Sequence, residues 1–300
     1  LKTSWAFFIQ GNVTFYILAT VLFLIFLLIC NLRWKILLDS QGVFFTFWYL
    51  FKVYLLSWFF NNILPTTIGG DVLRIAYTVP QSSSSTRPKT AQAFAGTFVD
   101  RFVGFIGLFF FAFVVYFGWL ANSQDEKKYL GLVIAGFLTL TVLLGVFFSR
   151  RIYSFLSRSF KKFTLFNLGA KIDKAYSSIQ NFRSALKELT LSFMLSLFVQ
   201  LSLALVWYFC GLGISVRIPL KYYLFYIPII GVITMIPISI GGLGVRENLF
   251  VSIFSLKGIT KDEAGAISLL YLLVNFIYAL VGGITFLFLK KEHKISNMRN

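Results

Sequence analysis

The sequence predicts an all-α polytopic membrane protein built as an inverted-topology repeat, with two re-entrant helical hairpins broken by Pro and Gly. Three observations predict it. Hydrophobic residues make up 58% of the 300 residues and charged residues only 13%, too little polar surface to coat a soluble globule of this size. Near-continuous apolar runs of about 18 residues or more recur along the chain, enough to cross a bilayer as helices. Finally, one motif occurs twice: Pro65-Thr66-Thr67-Ile68-Gly69-Gly70-Asp71-Val72-Leu73-Arg74 returns 172 residues later as Pro237-Ile238-Ser239-Ile240-Gly241-Gly242-Leu243-Gly244-Val245-Arg246, with Pro, both glycines and Arg at the same offsets. Each copy follows an apolar run and restores charge within it. A helix broken by Pro and Gly at a charged point is the signature of a discontinuous membrane helix at a binding site.

Asn12 to Cys30 is the first span, ended by Arg33-Trp34-Lys35, which reads as an interfacial anchor. The apolar stretch from Val43 to Val79 holds Pro65 and Gly69-Gly70 mid-run, so it reads as a hairpin that dips in and returns. A Ser-rich polar loop follows at Ser82 to Lys89, then a long helix from Ala91 to Leu120 carrying Asp100-Arg101, and a span from Tyr129 to Phe148. Arg150 to Lys187 holds nine Lys or Arg against one acid, Asp173. Within it Ile172, Tyr176, Ile179, Phe182 and Leu186 recur at spacings of three and four, an amphipathic pattern suited to an anionic membrane surface or to packing on the protein's own loops. Leu189 to Gly211 spans again, Leu220 to Leu256 repeats the broken hairpin, Ala264 to Leu289 is the last span, and a basic tail closes the chain.

The charges orient these elements. With 150–187 cytoplasmic and both hairpins returning to the side they entered, the inside loops carry 17 Lys or Arg and the outside loops seven, as the positive-inside rule requires. The C-terminus is then cytoplasmic. The first hairpin enters from the cytoplasm and the second from outside, which makes the two span–hairpin–span units oppositely oriented. The organisation expected is a first repeat at 1–120 with hairpin 43–79, a connecting span and basic segment at 121–188, and a second repeat with the basic tail at 189–300, its hairpin at 220–256.

Other classes are excluded or given no support. The net charge of +17 lies in short loops between spans, with no soluble module to bind nucleic acid. Two cysteines, Cys30 and Cys210, and the one histidine, His293, supply no metal or haem ligand set, and no cofactor is expected. The Asn12-Val13-Thr14 sequon opens an apolar segment and reads as chance.

A charged side chain near the bilayer centre costs at least about 2.5–3.5 kcal/mol on insertion scales. The candidates are Asp71, Arg74, Asp100, Arg101, Arg246 and Glu247. They either pair among themselves or form a site. For the set as a whole the site reading is favoured, because two broken helices bring open backbone N–H groups and helix N-termini to the same place. Gly69, Gly70, Gly241 and Gly242 would let a phosphate approach the backbone, Arg74 and Arg246 would give it bidentate contacts, and the acids would position the arginines or take up a proton. Asn61, Asn62 and Asn275 either satisfy opened backbone groups or line a cavity.

At these residues the chain resembles the flippase-like family defined by the transmembrane region of lysylphosphatidylglycerol synthases. The matching elements are Asn61-Asn62-Ile63-Leu64-Pro65 through Gly69-Gly70-Asp71 to Arg74, Asp100-Arg101 with Gly104, and Pro237 through Gly241-Gly242-Leu243-Gly244-Val245-Arg246-Glu247. The resemblance covers almost the whole chain. It implies a multi-pass protein of the inner (cytoplasmic) membrane that moves an anionic or phosphate-containing lipid, an aminoacyl phospholipid or a polyprenyl-linked glycolipid, between leaflets. Only ten residues follow Lys290, so the soluble aminoacyl-transfer domain of the synthases is not expected here and neither is lipid aminoacylation. Three alternatives are a small-anion or solute transporter, a membrane partner of a glycosyltransferase or lipid synthase, and an enzyme acting on a lipid phosphate, the last without an evident nucleophile–base pair. A homo-oligomer is compatible with all of these.

Overall fold

The computed structural model describes residues 11–64, 68–79, 90–121, 124–148, 181–234 and 239–298. Among the described residues the elements are helical. They are α1 (Val13–Asp39), α2 (Phe47–Ile63), α3 (Ile68–Thr78), α4 (Thr90–Val115), α5 (Leu130–Phe148), α6 (Leu186–Gly213), α7 (Leu220–Thr234), α8 (Val245–Ser255) and α9 (Lys261–Met298). Four segments are long and apolar enough to cross a membrane: Val13–Asp39, Thr90–Leu120, Leu186–Gly213 and Lys261–Phe288. The 19-residue apolar helix α5 lies where a fifth span is expected. The protein is therefore a multi-pass α-helical membrane protein. Each repeated motif stands at a helix interruption, α2 ending at Ile63 before α3 starts at Ile68, and α7 ending at Thr234 before α8 starts at Val245.

The chain forms two compact units. The first comprises Leu1–Asn31, Phe47–Arg74 and Phe198–Asn300. Its interior is aromatic. Tyr271 stacks on Trp207 at 4.1 Å, Trp207 on Phe250 at 4.5 Å and Phe250 on Phe254 at 4.1 Å. Phe23 packs edge-on against Trp58 at 5.8 Å. α9 approaches α2 at Gly282 and Gly283, where an added Cβ would overlap the Leu55 carbonyl and press on the Phe59 ring. Small residues allow this contact between helix backbones, the usual device where lipid offers no hydrophobic driving force for association.

The second unit comprises Leu32–Thr46 and Ile75–Leu197. Leu37, Ala95, Val99, Val103, Phe182 and Ala185 form its core. Here the interfacial anchor expected at Arg33-Trp34-Lys35 is corrected. α1 runs on to Asp39, and Arg33 and Trp34 are buried. The reason is that their polar ends find partners on α4: Arg33 Nε bonds Asp100 Oδ1 at 2.7 Å and Trp34 Nε1 donates to Thr97 Oγ1 at 3.1 Å. Only Lys35, paired with Asp39 one turn on, keeps a partly exposed position. Most of the basic 150–187 segment lies outside the described residues. At its end Asn181–Ser184 is a 3-10 turn, Leu186 already opens α6, and Phe182 is fully buried in the unit's core, so that side chain packs on the protein.

Candidate functional site

Eleven of the thirteen candidate residues fall in the first unit. On α2, the last turns present Asn61 and Asn62. Asn61 Oδ1 accepts a hydrogen bond from Gly70 N–H at 3.0 Å, satisfying one of the open donors at the start of α3 as a capping side chain does. A Cβ at Gly70 would overlap that same oxygen and the Ser57 hydroxyl, so glycine is required for this approach. Asn62 Nδ2 donates to Trp58 O at 2.8 Å, its Oδ1 accepts from Asn275 Nδ2 at 2.6 Å, and Asn275 Oδ1 accepts from Trp58 Nε1 at 2.9 Å. The three asparagines thus serve the broken backbone and each other, across 213 positions of sequence in the case of Asn275 and Asn62.

The second motif seats on the first. Gly241 packs so closely on the end of α2 that an added Cβ would lie 3.0 Å from Asn61 O and 3.1 Å from Asn62 Cα. Gly241, Gly242 and Gly244 have φ of 58°, 76° and 81°, a left-handed run that L side chains resist. This is the physical content of the Gly-Gly-Leu-Gly sequence: the chain turns between α7 and α8 by a path open to glycine.

Each arginine is held in two ways. Arg74, 1% exposed, donates from Nη1 to Asp71 Oδ1 at 3.2 Å, and its guanidinium carbon stands 5.0 Å from the Tyr54 ring centre. Arg246 donates from Nε and Nη2 to Glu247 Oε1 at 2.9 and 2.8 Å and stands 4.7 Å from the Tyr271 ring centre. Glu247 also uses its Oε2 to accept Gly244 N–H at 2.7 Å, so one carboxylate both closes the start of α8 and positions the arginine. Asp71 occupies the first turn of α3 and Glu247 the first turn of α8, where the helix dipole favours negative charge. Chemically, each motif offers a guanidinium set by a carboxylate and backed by an aromatic face, the kind of group that can pair with an oxyanion.

Asp100 and Arg101 belong to the second unit. Asp100, 1% exposed, is engaged by Arg33, whose Nη1 also donates to Ser196 Oγ at 2.9 Å. Gly104 leaves room for this guanidinium, since a Cβ there would sit 3.2 Å from both terminal nitrogens. Arg101 is half-buried. Ser196, Tyr54, Tyr271 and Trp58 are polar or aromatic members of these networks that sequence reasoning does not single out, and Arg33 is expected there only as part of an interfacial anchor. Trp58 alone had a local cue, its place one turn before Asn62. Among the described residues there is no group of three or more His, Cys, Asp or Glu able to hold a metal.

Over 302 aligned residues the chain is 27% identical to UPF0104 membrane protein MJ1595 of Methanocaldococcus jannaschii, covering 95% of this chain and 87% of that one. It is 24% identical over 287 residues to a UPF0104 membrane protein of Methanothermobacter thermautotrophicus, covering 89% and 82%. No solved structure matches the chain. Residues 2–283 match the lysylphosphatidylglycerol synthase TM region, and the chain belongs to that family.

Proposed function

We propose that this protein is a lipid flippase or scramblase of the cytoplasmic membrane, which moves an anionic or phosphate-containing lipid between leaflets and performs no chemistry on it. One observation carries the proposal. Arg74 and Arg246 lie in one compact unit, each in a helix that opens after a break in an apolar run, each with an adjacent acid and a tyrosine face. In this reading the two helix interruptions are re-entrant hairpins of opposite orientation, related as the two halves of an inverted repeat, and neither half is a complete site. The lipid phosphate passes between Arg74 and Arg246 with Gly69, Gly70, Gly241 and Gly242 offering backbone contact, while the tails stay in the bilayer. Asp71 and Glu247 hold the guanidinium groups against thermal wandering and release part of each to the incoming phosphate. Asp100, held by Arg33, ties α1 to α4 within the second unit. The basic 150–187 segment faces an anionic cytoplasmic surface.

Leaflet exchange in reconstituted vesicles tests this. Fluorescent phosphatidylglycerol and a polyprenyl phosphate should equilibrate between leaflets with wild type. Exchange should drop by at least about tenfold with either Arg74→Ala or Arg246→Ala, the loss of a charge-assisted contact worth about 1.5–3 kcal/mol. Uptake of a soluble anion without exchange of any lipid would identify a solute transporter instead.

A further inference from the structure

A second cationic feature stands apart from the two motifs, where the start of α7 meets the turn after α8. The rings of Tyr222 and Tyr226, one helical turn apart, lie nearly parallel with centroids 6.4 Å apart and an interplanar angle of 18°. Lys257 Nζ is 5.1 Å from the first ring centre and 5.4 Å from the second, and Lys221 Nζ is 5.2 Å from that of Tyr222. Both lysines thus lie against the ring of Tyr222, and an anion shared by two like charges lowers their mutual repulsion.

The platform beneath is rigid. Phe254 lies 6.0 Å from Tyr226 and 4.8 Å from Tyr223, and Tyr223, Tyr226 and Phe254 are buried. The charge balance is positive whatever the individual pairings. Arg217, Lys221, Lys257 and Lys261 stand in these two segments against Asp262 and Glu263, and Glu263 Oε2 already accepts from Thr260 N–H at 2.7 Å and its hydroxyl at 2.9 Å. Lys221 and Lys257 are half-buried while Arg217 and Lys261 are exposed, so the cluster has an open side. Lysine stems and tyrosine rings at helix ends belong at head-group depth, with the apolar part inward and the polar end among phosphates.

We infer that Lys221, Lys257 and the Tyr222–Tyr226 pair form an anion site that takes a net-negative phosphate group, from a lipid head group or as free phosphate, separate from the site proposed at Arg74 and Arg246. The two ammonium groups supply charge to the phosphate oxygens and the Tyr222 hydroxyl supplies a directed donor.

Native mass spectrometry of the full chain in non-ionic detergent, mixed with phosphatidylglycerol, phosphatidylcholine or inorganic phosphate, tests the site without relying on transport. Wild type should retain phosphatidylglycerol over phosphatidylcholine. In the Arg74→Ala/Arg246→Ala background, which removes the site proposed above, the retained fraction should fall about tenfold on adding Lys221→Gln/Lys257→Gln, as expected for removing two interfacial charges, and persist on adding Lys221→Arg/Lys257→Arg. Arg74→Ala/Arg246→Ala should keep this lipid, which separates the two sites. Displacement of the lipid by millimolar inorganic phosphate would show that the phosphate alone is read, and resistance to it that the lipid is the ligand. Equal retention of phosphatidylglycerol with and without the Gln substitutions in that background, or equal retention of phosphatidylcholine by wild type, would overturn the inference.

Discussion

Asp100 and Arg33 are both buried, and the 2.7 Å bond between them joins α1 to α4 within the second unit. A buried ion pair contributes little net stability, because desolvation of both charges offsets their attraction, but removing one partner strands the other. Asp100→Ala should therefore lower stability by about 3–5 kcal/mol, whereas Arg33→Met/Asp100→Leu should regain most of that loss. Thermal unfolding in detergent with a double-mutant cycle measures this, and additive losses would show that the two residues do not act as a unit. The pair also marks where sequence reading fails. Arg33-Trp34-Lys35 has the composition of an interfacial anchor, and nothing local distinguishes it from one. Its partners lie 67 and 63 positions away, so the internal placement follows from helix packing alone. Arg74 is the opposite case, because its partner Asp71 is one turn back and the pairing could be read from spacing.

At the level of elements, the breaks themselves were legible because their cause is local. Pro and Gly restrict or free φ wherever they occur, and the positive φ values of Gly241, Gly242 and Gly244 are the structural form of that signal. What holds the broken ends was only partly legible. The asparagines could be expected to satisfy opened backbone groups, and Asn61 does so at Gly70, but the chain from Trp58 through Asn275 to Asn62 needs α9 to lie on α2. Asn275→Leu should leave the Trp58 indole N–H and the Asn62 carbonyl oxygen without this partner, at a cost of about 1–3 kcal/mol per group, read as a lowered unfolding temperature. The same helix pair gives a sharper contrast between two glycines of α9. A Cβ at Gly282 would overlap the Leu55 carbonyl oxygen, and backbone cannot step aside, so Gly282→Ala should destabilise by about 1–3 kcal/mol. Gly265 has nothing within 4 Å of the added atom, and Gly265→Ala in a helix should be neutral or stabilising by up to about 1 kcal/mol. Equal effects at the two sites would mean that α9 does not rest on α2 through this notch.

For the whole molecule, membrane class, helix positions and the two interruptions follow from composition and run length, since a bilayer sets a length that sequence displays directly. Orientation rests on a different quantity, the distribution of 17 Lys or Arg in one set of loops against seven in the other, and it depends on both interruptions returning to the side they entered. If either crossed, every later loop would change sides and the basic 150–187 segment would share a side with fewer of the other positive loops. Both native cysteines are buried, so single introduced cysteines can report the side of each loop to a membrane-impermeant maleimide. Asp262→Cys, at the exposed start of α9, should label in intact cells. Ser83→Cys, in the polar stretch between α3 and α4, and Ser296→Cys, near the C-terminus, should label only in inverted vesicles. Thr46→Cys, exposed directly before α2, must then behave as Ser83→Cys does, because a re-entrant hairpin leaves its two flanks on one side. Labelling of positions 46 and 83 from opposite faces would show that the α2–α3 segment crosses the membrane. It would remove the inverted repeat, and with it the reason for expecting Arg74 and Arg246 to share one lipid.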